Sequence, residues 1–191
     1  GGAGIAGRAP APLRSSPVSG SHDGMTIVLV EGESDAVAVR TLAARLGLPT
    51  PRVVPVGGSK GARRAVDEFA GVRLVGLVDA AERRDFERVL EVVFVCDPDL
   101  EAEFVRALGV DGVEAVIAQQ GELESFRRLQ EQPFQRARTP EQQLARFFGG
   151  RSGNKFRYAR LLAEAVALDR IPPPLGALLA SLSSLPPGTS A

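Results

Sequence analysis

The sequence predicts an α/β domain in which a parallel, Rossmann-like β-sheet is flanked by helices and followed by a helical C-terminal region. Three observations lead to this prediction. Short apolar runs of strand length alternate with segments of helix length between residues 25 and 120. These runs are continuous rather than alternating, which is typical of strands buried on both faces of a sheet. From residue 121 onward the pattern contains helical segments only.

The predicted elements follow one another in a regular order. Strands are predicted at 26–30, 52–56, 72–78, 92–95 and 113–118. Helices are predicted between them at 34–46, 57–69, 82–90 and 99–108. Further helices are predicted at 122–130, 139–148, 155–168 and, as a short segment, after the three prolines at 172–174. Gly47 and Gly109 follow the first and fourth helices, where glycine commonly ends a helix.

Residues 1–24 are excluded from the predicted fold. They are rich in Gly, Ala, Pro and Ser, show no hydrophobic period, and lack the apolar core of a secretory signal. Met25 directly precedes the first predicted strand. We therefore expect a disordered tail, a linker or an expression remnant at 1–24, an α/β core at 25–120, and a helical extension at 121–191 that completes the domain.

Composition excludes several classes of protein and of site. The chain has 191 residues, of which 44% are apolar and 24% charged, and its apolar runs are too short to span a membrane. The single cysteine, Cys96, excludes an internal disulfide and a Cys-rich zinc site, and we expect it to be a buried strand residue in a reducing, cytoplasmic setting. The single histidine, His22, lies in the predicted tail. Any chemistry must therefore depend on carboxylates, arginine and lysine.

Charge is segregated along the chain although the net formal charge is zero. Residues 79–124 hold 13 acidic residues and four arginines, a net charge of −9, whereas residues 127–160 hold eight arginines and one lysine against two glutamates, a net charge of +7. Two interpretations stay open. The two blocks could form an ion-paired surface, or an acidic metal-binding cleft beside a basic rim that binds phosphate.

Carboxylates follow three of the predicted strands. Glu31 comes after the first strand, Asp79 after the third, and Asp99 and Glu101 closely follow the fourth. Ligands of parallel sheets bind at the carboxyl ends of the strands, and carboxylates gathered there repel one another unless cations lie between them. Oxygen ligands without His or Cys suit Mg²⁺ or Mn²⁺. For Asp99, as for Asp35, helix capping is an equally good explanation.

Lysine is rare in this chain, with only Lys60 and Lys155 among 23 basic residues. Lys60 lies in the segment GGSKG and Lys155 in GRSGNKF, and both glycine-rich turns lead into predicted helices. Backbone amides at such turns favour phosphate, and a lysine adds a compact charge. The alternative is that two lysines are a chance of composition. GGSKG lacks the spacing of a Walker loop, so ATP binding is not predicted.

Five segments together resemble the Toprim domain of the OLD-family (overcoming lysogenization defect) nucleases. In chain order they are VLVEGESDA, VVPVGGSKG, LVGLVDA, DPDLEAEF and GRSGNKFRYARLLAEA. Toprim is the catalytic fold of topoisomerases, bacterial-type primases and several nucleases. The resemblance covers residues 25–168 and implies a Toprim fold and a hydrolase, specifically a DNA endonuclease that depends on Mg²⁺ or Mn²⁺, with two ions at the site.

The resemblance also implies roles for five carboxylates. Glu31 matches the signature glutamate, a metal ligand or general acid–base, and Asp35 supports it in the metal shell. Asp79 matches the first acid of the family's Asp-x-Asp motif and is expected to bind metal. Asp99 and Glu101 match an Asp-Leu-Glu pair that completes a second metal position.

Basic residues complete the implied site. Lys155 matches the lysine that stabilises charge at the scissile phosphate. We expect Lys60, Arg151 and Arg157 to bind nucleic acid, since the basic segment 127–160 could follow a phosphate backbone without reading its sequence. DNA is the expected partner, ahead of RNA, and no membrane association is expected; a homodimer is a further expectation.

Two departures from the family pattern leave other functions open. The second acid of Asp-x-Asp would fall at Ala81, so Glu82 or Asp85 would have to replace it. OLD nucleases usually carry an ATPase domain, which this sequence does not contain; we expect a stand-alone protein or a fragment that works with an ATPase in trans. The alternatives are a non-catalytic nucleic-acid-binding or regulatory Toprim module, an RNA-processing Toprim nuclease, and, from the acids alone, a metal-dependent phosphatase.

Overall fold

A parallel four-stranded sheet forms the centre of the part of the chain that the computed structural model describes, residues 25–151 and 153–183. The strands are β1 (Thr26–Val30), β2 (Arg52–Pro55), β3 (Arg73–Asp79) and β4 (Val93–Cys96), in the spatial order β2-β1-β3-β4. Each lies within one residue of its predicted bounds. The predicted tail at 1–24, with His22, and the last eight residues lie outside the described residues.

Helices cover both faces of this sheet. They are α1 (Glu33–Arg45), α2 (Ser59–Glu68), α3 (Arg83–Glu87), α4 (Leu100–Leu108), α5 (Val110–Gln119), α6 (Leu123–Gln130), α7 (Pro140–Gly149), α8 (Asn154–Ala165) and α9 (Pro173–Ser183). A 3₁₀ turn, Leu168–Arg170, precedes α9. Helix α9 begins within the three prolines rather than after them, because proline is tolerated in the first turn of a helix. No helix in the described ranges is both long and apolar enough to cross a membrane.

The fifth predicted strand, at 113–118, is wrong, because these residues form most of α5. Val113 and Ile117 are four residues apart, and with Val116 they form the buried face of a helix. Gly109 has a φ of +75°, which lets the chain leave α4 and enter α5 directly. An apolar run of this length fits either a strand or a helix face, and here the helical period decides.

The sheet is buried on both faces, as its continuous apolar strands predict. Val28 and Val30 point into a large core that contains residues of α1 and of α4 through α9. Ile27 and Leu29 point the other way, into a smaller core closed by α2 and α3. All four side chains are fully buried. Cys96, at the end of β4, is buried in the large core as expected.

Helix α8 packs along α1 and brings the C-terminal helices onto the α/β core. At the C-terminal end of α1, Arg45 donates hydrogen bonds of 2.7 and 2.6 Å to the carbonyl oxygens of Ala163 and Val166 at the end of α8. Because the two C-terminal ends meet, the helices run parallel. The first turn of α8 therefore lies beside the first turn of α1, at the carboxyl end of β1.

The start of α2 approaches the end of β2 so closely that position 61 accepts only glycine. A Cβ on Gly61 would lie 1.8 Å from the carbonyl oxygen of Val56. We expect Gly61→Ala to lower the free energy of unfolding by about 2–3 kcal/mol, since backbone must move to relieve the contact. Gly149→Ala is the matched control, because a Cβ there meets no heavy atom within 4 Å. Urea denaturation followed by circular dichroism measures both, and equal midpoints for the two variants would contradict the prediction.

Candidate active site

The carboxyl ends of β1, β3 and β4 place acidic side chains along one rim of the sheet. Glu31 directly follows β1, Asp79 ends β3, and Asp99 follows β4. These strands are immediate neighbours in the sheet, so their ends lie side by side. The side chain of Glu31 is exposed and forms no hydrogen bond or ion pair with the described residues. It is free to bind a ligand.

Backbone amides hold three of the carboxylates, each by one oxygen. Asp35 accepts a 2.8 Å hydrogen bond from the N–H of Gly32, and Asp99 accepts one of 2.8 Å from Ala102 as the N-cap of α4. Asp79 accepts a 3.2 Å hydrogen bond from the N–H of Leu100. The local, structural role foreseen for Asp35 and Asp99 is thus present. Within the described ranges, the second oxygen of each of the three carboxylates accepts no hydrogen bond.

Burial and the neighbouring carboxyl groups raise the pKa of Asp79 and of Asp35. Burial is the largest cause for Asp79, and the neighbouring Asp35, Asp99, Glu101 and Glu31 add to it, so the pKa of Asp79 rises from 3.8 to about 7. Burial also raises the pKa of Asp35 to about 6, supported by Glu101 and Glu31 and opposed by the amide of Gly32 and by Lys155. Without a cation this cluster resists full ionisation at neutral pH.

Lys155, in the first turn of α8, reaches this cluster. Its Nζ lies 3.4 Å from Oε1 of the buried Glu101, while 55% of the lysine side chain stays exposed. Partial burial disfavours its charge, but the carboxylates of Glu101, Asp79 and Asp99 outweigh that effect and raise the pKa of Lys155 above its ordinary value. The parallel packing of α8 on α1 thus brings an ammonium group that is charged at neutral pH to the strand ends.

The other basic residues predicted to bind nucleic acid differ in whether they form ion pairs. Lys60 is exposed in the first turn of α2, at the same edge of the sheet, and forms no ion pair with the described residues. Arg151 and Arg157 both pair with Glu122, at 3.7 and 3.0 Å. Sequence reasoning gave no role to Glu122, because its contact with residues in a later helix leaves no local pattern. The ion-paired interpretation of the two charge blocks therefore holds for these arginines.

Position 81 shows how the site departs from the family pattern. Ala81, two residues after the end of β3, is exposed and contributes no ligand. Asp85 lies on α3 and pairs with Arg88 at 2.7 Å. The carboxylate of Glu82 lies 3.9 Å from the point that a Cβ on Gly58 would occupy, so it faces the loop after β2. Of the two acids considered as replacements, Glu82 is the one directed toward the rim.

The donor chemistry of the rim fits a hard divalent cation, but the side chains do not converge on one point. In residues 25–151 and 153–183 no group of three or more His, Cys, Asp and Glu side chains has a metal-binding arrangement. The carboxylates would have to rotate toward a bound ion. Burial, with Asp79 and Glu103 nearby, raises the pKa of the Cys96 thiol, which leaves it protonated and unsuited to bind metal. Among the described residues at the rim, the available ligands are then oxygen atoms, which are typical ligands of Mg²⁺ and Mn²⁺.

Comparison with known proteins identifies solved structures of similar fold. No protein-family model and no curated protein sequence matches this chain. The C-terminal region of the Burkholderia pseudomallei OLD protein matches 82% of this chain and 96% of its own, with a TM-score of 0.60 and 21% identity. The C-terminal region of the Xanthomonas campestris pv. campestris OLD protein matches 83% of this chain and 92% of its own, with a TM-score of 0.61 and 24% identity. This chain therefore has the α/β Toprim fold of the C-terminal region of OLD proteins.

Proposed function

We propose that this chain is a divalent-metal-dependent endonuclease that hydrolyses phosphodiester bonds in DNA. The observation that carries the proposal is the rim cluster: Asp35, Asp79, Asp99 and Glu101 repel one another at the strand ends, and Lys155 lies against them. Such a cluster costs stability unless cations and a charged substrate compensate it. The Toprim fold and the motifs shared with OLD nucleases support nucleic acid as that substrate.

The carboxylates would have different roles, which follow from their surroundings. Asp79 and Asp99, each fixed through one oxygen by a backbone amide, would offer the other oxygen to a cation. Glu101 and Asp35 would complete the ligand set. Bound Mg²⁺ or Mn²⁺ would supply an acidified water and offset the charge of the phosphate. Glu31, exposed and without a hydrogen bond in the described ranges, would accept the proton that the attacking water loses.

Lys155 would stabilise negative charge on the phosphate as it reacts. Its Nζ is held at 3.4 Å by Glu101, and more than half of its side chain faces solvent. A phosphate that enters the rim therefore meets an ammonium that the protein has already positioned. The raised pKa of Lys155 keeps this ammonium charged throughout the neutral range.

A non-catalytic nucleic-acid-binding module is the second candidate. It is favoured by Ala81, which leaves one expected ligand position without a carboxylate, and by the lack of a converged ligand group among the described residues. The two candidates share the fold and the basic surface. They differ in whether cation binding and cleavage occur, which is what the experiments below measure.

Cleavage of supercoiled plasmid with Mg²⁺ or Mn²⁺ tests the proposal. We expect Glu31→Gln, Asp79→Asn and Lys155→Ala each to reduce nicking about 100-fold or more, since each removes a group that acts on the reacting phosphate or its cations. Glu68→Gln, which removes an exposed acid from the far end of α2, should cleave like the wild type.

Three outcomes separate the candidates. Wild-type activity in all three rim variants would overturn the nuclease assignment. No cleavage and no Mn²⁺ binding by calorimetry would favour the non-catalytic module. Mn²⁺ binding without plasmid cleavage would require the same assay on structured RNA and with the ATPase of an OLD protein added.

Stability should also depend on pH in a defined direction. A carboxyl group whose pKa is higher in the folded chain binds more protons when folded, so the free energy of unfolding falls as pH rises through that interval. For Asp79 the interval runs from 3.8 to about 7. Without metal, we expect Asp79→Asn to raise the melting temperature by a few degrees at pH 8 and by much less near pH 4, because asparagine keeps the acceptor for Leu100 and lacks the charge.

Added cation should offset the loss of stability that the wild type shows at high pH. Mn²⁺ favours the ionised carboxylates, so it should raise the melting temperature of the wild type more at pH 8 than near pH 5. Asp79→Asn should respond little to Mn²⁺ at either pH. Differential scanning calorimetry gives all of these values, with Glu68→Gln as the control. Identical pH profiles for Asp79→Asn and the wild type would show that repulsion at Asp79 does not limit stability.

A further inference from the structure

A basic pocket, called the arginine pocket below, lies outside the rim, between α6 and α7. It has a volume of about 420 Å³, and its lining contains three arginines, Arg128, Arg146 and Arg151, and no acidic residue. Ser125 and the backbone at Gly150 add polar groups to the wall. The pocket is thus concave, polar and positively charged, which are the properties of a site for an anion.

Two of these arginines are not neutralised by the protein. Arg128 and Arg146 are exposed and form no hydrogen bond or ion pair with the described residues. Their neighbour Arg127, by contrast, pairs with Glu114, and Arg151 is shared between Ser125 at 3.1 Å and Glu122 at 3.7 Å. A pair of uncompensated guanidinium groups facing one pocket repel each other, and an anion between them removes that repulsion.

This pocket adjoins the candidate active site. A neighbouring cleft is lined by Ser34, Gly150, Arg151 and Lys155, and it shares Gly150 and Arg151 with the arginine pocket. Ser34 is next to Asp35 in α1, and Lys155 contacts Glu101. A continuous concave and basic surface therefore leads from the rim carboxylates to Arg128 and Arg146.

We propose that the arginine pocket binds a backbone phosphate of a polynucleotide strand that also places a phosphate at the rim. The proposal rests on the proposed function and adds to it a second phosphate-binding position outside the rim. Arginine binds phosphate through two parallel N–H donors, and a phosphodiester chain supplies anions at regular intervals along one surface. A small phosphate ester fills the rim alone and gains nothing from the pocket. The pocket therefore selects long substrates over mononucleotides and small diesters.

Binding in EDTA tests the pocket without requiring any cleavage. For a fluorescent oligonucleotide of ~20 nucleotides, as DNA and as RNA, we expect Arg128→Gln/Arg146→Gln to raise the dissociation constant about tenfold or more and to reduce the salt slope by about two. The matched control is Arg52→Gln/Arg170→Gln, which removes the same charge from exposed positions on the side of the sheet opposite the rim. It should bind like the wild type.

A variant with the opposite effect makes the test independent of folding. Glu122 neutralises Arg151 and Arg157 and accepts a hydrogen bond from Tyr158. Glu122→Gln keeps an acceptor for Tyr158 and removes the charge, so it should tighten oligonucleotide binding several-fold. Hydrolysis of bis(p-nitrophenyl) phosphate, a small diester, should be the same in the pocket variant as in the wild type.

The outcomes distinguish failure of the pocket from failure of the proposed function. Equal loss of binding in the pocket and control variants, or no loss in either, overturns the polymer site. Tighter binding of an acidic peptide than of either oligonucleotide would assign the pocket to a protein partner instead. If neither the plasmid nor the small diester is cleaved and Mn²⁺ does not bind, while the pocket variant still loses oligonucleotide binding, the nuclease proposal fails and the polymer site stands.

Discussion

The packing of α8 along α1 is the interaction on which the candidate site depends. The strands alone deliver carboxylates to the rim, and the cation that faces them belongs to a helix far along the chain. Arg45 ties the C-terminal ends of α1 and α8 together through two carbonyl oxygens. Fully buried residues of both helices, among them Leu42 and Leu162, belong to one core. Because the helices are held parallel, Lys155 can only lie near the first turn of α1.

The carboxylates at the rim destabilise the fold that this packing stabilises. Asp79 lies at the end of a buried strand and carries a pKa of about 7, and Asp35 carries one of about 6. A structure selected for stability alone would place neutral side chains at these positions, since each backbone amide that holds an aspartate could be satisfied by asparagine. Retaining ionisable groups under mutual repulsion is typical of sites that bind cations or transfer protons.

The sheet could be predicted from sequence and part of the helical region could not. Each of the four strands is a short, mostly apolar run, and the sequence predicts its bounds to within a residue. The segment 113–118 was misread because a short apolar run fits both kinds of element. Helix capping by Asp35 and Asp99 followed from local spacing. The pairing of Glu122 with Arg151 and Arg157, and of Glu101 with Lys155, depends on tertiary packing and leaves no trace in the local sequence.

The basic segment 127–160 combines two kinds of arginine. One kind, represented by Arg127 and Arg157, neutralises acidic residues of the preceding block and helps to hold the helices together. The other kind, Arg128 and Arg146, faces a pocket and is paired with nothing in the described part of the chain. Net charge, which is zero, hides this difference. The ion-paired arginines stabilise the fold and present little charge to a ligand. The unpaired arginines lie where a nucleic-acid strand leaving the rim would pass. A chain with no net charge can therefore still present a basic surface to a polyanion.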